Sequence, residues 1–152
     1  MSLRNNRKGS AIIEILISIS FITFILFFPV AMFSVTNRQT TMSTLLIHSL
    51  QIVSLEGGLP ERARGLVLLN AEQLGFNPER ISVNATHGGT DLTNIRISKG
   101  SSLPIRVTVQ YPANAEAYFI NSIARLIGSR EVMDEEGHFE ATGYVNSEWL
   151  DP

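Results

Sequence analysis

From Ile15 to Val35 the chain carries no charged side chain. That run is long enough to cross a bilayer, since a helical span needs about 20 mostly apolar residues. Glu14 is the one ionisable group near its start, and the polar stretch before it holds Arg4, Arg7 and Lys8. A carboxylate at mid-bilayer costs roughly 2.5 to 3.5 kcal/mol on insertion scales, so an acid at the edge of a span marks a site that needs a function. The apolar run therefore has to be placed in lipid first. The rest of the chain is arranged by which of its ends stays inside.

Composition fits one anchor and one small domain. There are 152 residues, 44% of them hydrophobic. Much of the apolar excess lies in the first third, so the remainder reads as an ordinary soluble domain with a modest core. A formal charge of −2 gives no reason to expect a nucleic-acid partner. The chain contains no cysteine, so its domain relies on packing, not on the disulfides common in small secreted domains. The apolar run exceeds the roughly 7 to 15 residues of a cleaved secretory signal, and Val30-Ala31-Met32-Phe33 is a poor small-x-small cleavage site. The run is expected to be retained. Clustered Arg and Lys hold the N-terminal end in the cytoplasm, which puts the domain outside.

Taken in order, residues 1–9 read as a polar, basic leader with Gly9 just before the helix, where backbone is easily reached. Residues 10–35 read as helix in lipid, with a kink or loosening at Pro29, which removes one backbone hydrogen bond. Residues 36–152 read as an extracytoplasmic domain that includes the outer half of the same helix. Leu45, Leu46, Ser49, Leu50, Ile52 and Val53 give that half a helical rhythm, and Gly57-Gly58 stops it near Leu55. Pro60 opens a second helix whose apolar side is Leu66, Leu69, Ala71 and Leu74. Strands are expected at 81–85, 94–98, 105–109 and 139–149, with the strongest alternation at Ile105, Val107 and Val109. A third helix is expected at 113–126, with Ala117, Ile120, Ile123, Ala124 and Ile127 near one side. The fold class is α+β: a long N-terminal transmembrane helix continuing into a small antiparallel-sheet domain with two further helices.

Glu14 gains a physical role if the chain is cut between Gly9 and Ser10. The new terminus would carry a protonated α-amine at neutral pH. Glu14 lies four residues on, about 6 Å along a helix axis. A neighbouring subunit shifted by that amount brings its Glu14 beside this amine. Pairing offsets the desolvation that each charge suffers alone, and a helix N-terminus favours a carboxylate. One arrangement then sets register between subunits and makes insertion tolerable. Pairing within one chain is the other geometry open to the same two groups. Without a cut, Glu14 reads as an edge residue that snorkels to the headgroups.

Lys8-Gly9-Ser10-Ala11-Ile12-Ile13-Glu14 followed by a span resembles the cleavage motif of type IV pilin-like proteins (pseudopilins). The wording Gly-Ser-Ala-Ile-Ile-Glu is also similar to the TadE-like minor pilins of tight-adherence (Flp-type) systems. That resemblance implies a prepilin peptidase cutting between Gly9 and Ser10. It also implies docking through Glu14 and the Ser10 amine, and assembly with other pilin-like subunits by the hydrophobic helix. Tyr111-Pro112 and the final strand are loosely compatible with the TadE-like domain. Ser10 stands where many major pilins carry a large apolar residue, and the C-terminal disulfide loop is absent. The domain is too large for an Flp-type major subunit, which points to a minor subunit or assembly component. The second reading is an unprocessed, single-pass tether for an extracytoplasmic binding module.

No other pattern carries chemistry. His48, His87 and His138 show no ligand spacing, and Asp134-Glu135-Glu136-Gly137 reads as a solvated turn without alternating metal ligands. No phosphate loop or nucleophile elbow is present. The expected cofactor and metal sets are empty, and no enzyme activity is expected. Arg62, Arg64, Arg96 and Arg106 read as surface, and Tyr144 and Trp149 as core or domain-edge packing.

Overall fold

A computed structural model describes residues 3–128, 133–134 and 136–150, with side chains from Ala11 onward. Helix α1 runs from Leu3 to Glu56. It is followed by α2 (Glu61–Gln73), a 3-10 turn (Pro78–Arg80), β1 (Ser82–His87), β2 (Thr90–Asp91), β3 (Ile105–Pro112), α3 (Ala115–Leu126) and β4 (His138–Val145). The four strands form one antiparallel sheet in the order β2-β1-β3-β4. The fold is α+β, as expected.

The outer half of α1 forms the spine of the domain. Ala31, Val35, Met42, Leu45, Ser49 and Val53 are all buried. Their spacings keep them on one stripe of a helix with 3.6 residues per turn. Ser49 is tolerated there because its hydroxyl donates to the Leu45 carbonyl at 2.8 Å. Leu46, Leu50 and Ile52 flank the stripe, partly buried.

The sheet lies against this stripe. Val107 pairs with Ala85 on one side and Gly143 on the other, and Val109 pairs with Val83 and Ala141. These residues share the inward face, as period-two alternation requires. The small residues fall where the helix comes closest. A Cβ placed on Gly143 would lie 2.8 Å from the Leu50 Cδ1 atom. The outward face is polar: Thr108 and Thr142 share a hydrogen bond of 3.2 Å, and the Gln110 amide donates to Glu140 at 3.3 Å.

Four expectations need correction. First, the helix does not start at Ser10. It begins at Leu3, so Gly9 lies within α1 instead of ahead of it. A single glycine costs a helix only about 1 kcal/mol relative to alanine, and no proline interrupts this end. Second, α2 buries Ala63, Val67 and Ala71 while Leu66 and Leu69 stay exposed. Spacing of four places the three buried residues on one stripe, and their small side chains let two helices approach closely.

Third, residues 94–98 form no strand. Their backbone bonds to the end of α1, where the Ile97 amide donates to the Gly57 carbonyl at 2.7 Å. β1 instead takes the two-residue β2 as its partner. Fourth, β4 ends at Val145, not at Trp149. Beyond it the chain turns to α1: the Ser54 hydroxyl donates to the Asn146 carbonyl, and the Glu148 amide to the Ser54 carbonyl, both at 2.8 Å. Tyr144 points to solvent and Trp149 is partly buried under Arg96, whose guanidinium lies 5.4 Å from its ring centroid.

Candidate membrane anchor and assembly site

The N-terminal half of α1 has no protein cover. Every residue from Ala11 to Phe27 is exposed, including Ile12, Ile13, Ile17, Phe21 and Ile22. The segment has a mean hydropathy of 2.6, and α1 is long and apolar enough to cross a membrane. Its polar side chains are satisfied locally where they can be. The Ser20 hydroxyl donates to the Leu16 carbonyl and the Thr23 hydroxyl to the Ile19 carbonyl, each at 2.9 Å. Such back-bonding lets hydroxyls sit in lipid without an unmet donor.

Glu14 differs in carrying a charge. It is exposed on this bare segment, and it is the only charged residue between Ala11 and Asn37. Among the described residues it has no ion-pair partner. Its backbone and that of Ser10 lie on the same unbroken helix, so their axial separation is about 6 Å. The backbone of Arg4, Arg7, Lys8, Gly9 and Ser10 is helical, and their side chains lie outside the described residues. α1 also runs through Pro29 without interruption.

The domain reaches further down α1 than its sequence foretells. The Phe119 ring of α3 packs edge-on against Phe27, with centroids 5.2 Å apart, and against Phe24 at 6.4 Å. Phe28, Ala31 and Val35 belong to the core cluster or pack on it. The stretch expected wholly in lipid therefore meets the domain from Phe24 onward. Sequence reasoning missed this contact. The available signal was the α3 pattern itself, which places Phe119 beside the buried Ile120 on a helix N-capped by Asn114, whose side chain accepts the Ala117 amide at 3.0 Å.

A second unforeseen cluster lies just above. Arg38 stands 5.6 Å from the Phe76 centroid and 5.8 Å from that of Tyr111, and Arg80 approaches the same Tyr111 ring at 5.8 Å. Two cations over one ring is a cation–π arrangement, with the phenol at the lower end of β3.

His48 is exposed on α1, while His87 and His138 serve the domain's own turns. His87 Nε2 lies 2.8 Å from the Ser101 hydroxyl. The His138 amide donates to Asp134 Oδ1 at 2.6 Å, and its Nδ1 lies 3.6 Å from Asp134 Oδ2. The acidic turn read at Asp134-Glu135-Glu136-Gly137 falls partly outside the described residues. No three His, Asp or Glu side chains converge as metal ligands among those described. Arg96 bridges Glu56 at 3.0 Å across the end of α1. No family model, curated protein or solved structure matches the chain.

Proposed function

We propose that this chain is a pilin-like minor subunit or assembly component of a type IV, tight-adherence-like filament system. It is held in the cytoplasmic membrane with its N-terminus inside and its domain outside. A prepilin peptidase cuts it between Gly9 and Ser10. The freed Ser10 amine and Glu14 then register it against neighbouring pilin-like helices, and its role is to assemble and not to catalyse. One observation carries this reading: a single carboxylate, Glu14, sits five residues beyond Gly9 on a helix whose apolar surface is exposed from Ala11 to Thr23, before the first contact with Phe119 at Phe24. Open apolar helix surface is what lateral packing between subunits needs. A lone acid within it gains most from an amine on a neighbour.

The unprocessed tether remains the competing reading. It draws support from the continuity of α1 through Gly9, since a regular helix resists the extended backbone a peptidase handles. N-terminal sequencing of the membrane-bound protein separates the two. A terminus at Ser10 is expected. An intact leader in cells that possess the peptidase overturns the subunit reading.

A further inference from the structure

We propose that α3 is a membrane-surface helix whose exposed end, Leu126 and Ile127, rests in the outer leaflet of an anionic bilayer. The inference rests on α1 spanning the membrane, but not on cleavage or filament assembly. It follows from depth. A hydrocarbon layer of about 30 Å takes about 20 helical residues. Counted from Ala11 that layer ends near Val30, and counted from Glu14 it ends near Phe33. Either count encloses Phe24 and Phe27, the two rings that Phe119 touches. Phe119 is thus at or below the outer edge of the hydrocarbon, and Leu126, seven residues on, lies within about 11 Å of it along α3.

The chemistry of α3 fits that position. Its inner side, Ala117, Ile120 and Ala124, is buried in the domain. At its far end Leu126 is 87% and Ile127 70% exposed, a cost in water that lipid removes. Charge on the α1 side agrees, against the acids Glu116, Asp134 and Glu136 on and beside α3. Arg38 lies only about 8 to 12 Å along α1 from the hydrocarbon edge, so its side chain is within reach of the phosphate layer. Arg38 and Arg80 share the Tyr111 ring, and neither is ion-paired to a carboxylate among the described residues. Basic groups beside a span are drawn to anionic lipid.

The test uses the absence of native cysteine. Full-length single-cysteine variants Leu126→Cys and Ile127→Cys are labelled with an environment-sensitive fluorophore. They are reconstituted in vesicles of phosphatidylethanolamine and phosphatidylglycerol. Ile17→Cys reports the middle of the span, and Leu55→Cys reports an exposed apolar position far from it. At 126 and 127, nitroxide carried near the lipid headgroup should remove most of the emission while aqueous iodide has little effect. At 55 the pattern should reverse. If 17 is quenched from lipid but 126 and 127 behave like 55, the inference fails while the span stands. If 17 is open to iodide, the span fails and the inference with it. If 126 and 127 are shielded from both quenchers and crosslink between chains, a second copy covers the face and the inference is overturned.

Discussion

The Ile97 amide donates to the Gly57 carbonyl across 2.7 Å, tying the loop after β2 to the residue that ends α1. The Ser147 hydroxyl donates to the Ile97 carbonyl, and the Lys99 amide donates to the Trp149 carbonyl at 2.7 Å. Helix end, loop and C-terminal segment are thereby knit together. Gly57 permits this because it adopts φ +71°, and a Cβ there would lie 2.6 Å from the Ile97 carbonyl oxygen. Gly57→Ala should destabilise the domain by about 1 to 3 kcal/mol. Denaturant unfolding of the detergent-solubilised chain measures it. A change within error would show that the knot contributes nothing.

The contrasting glycine is Gly65, inside α2, where an added Cβ meets nothing within 4 Å. Gly65→Ala should stabilise by about 0.5 to 1 kcal/mol, because alanine loses less backbone freedom in a helix. The same unfolding experiment should show opposite signs for the two substitutions.

Helix and sheet meet closely at Gly143, beside Leu50. Gly143→Val should cost about 1 to 3 kcal/mol by overpacking, though valine suits a strand. Leu45→Ala, at a site with no solvent exposure, should cost about 2 to 5 kcal/mol through lost burial and a residual cavity. If both variants unfold like the parent protein, α1 is not the spine of this core.

On the proposed reading, Glu14→Gln should leave membrane insertion intact and lower recovery of the chain in sheared filaments by at least about tenfold, since one partner of the proposed lipid-buried pair would be gone. Fractionation followed by immunoblotting measures both quantities. Unchanged recovery in filaments would leave Glu14 without an assembly role.

The long apolar helix, the two later helices and β3 were legible because each rests on local periodicity or on composition. Ile105, Val107 and Val109 alternate cleanly and all three are buried. Residues 94–98 misled because Ile95 and Ile97 alternate in the same way. Their hydrogen bonds go to a helix end distant in sequence, and period alone does not reveal a partner. Leu66 and Leu69 misled for a related reason: the closest helix contact selected the smaller Ala63, Val67 and Ala71. At the candidate site, Glu14 and Gly9 were visible as isolated exceptions to their surroundings. The Phe119 contact with Phe24 and Phe27, and the Arg38–Tyr111–Arg80 cluster, depend on where β3 delivers the chain, which only the tertiary fold specifies.

If α1 crosses the membrane as proposed, the span and the spine are one helix, and no linker separates the domain from the membrane. A span tilted by about 20°, an ordinary value, acts as a lever. The stretch from Val30 to Glu56 is about 39 Å long, so its far end swings sideways by about 13 Å. Neighbouring helices that change the tilt of the buried half would therefore steer the outward sheet and the Arg96–Trp149 corner with it, without any change inside the domain.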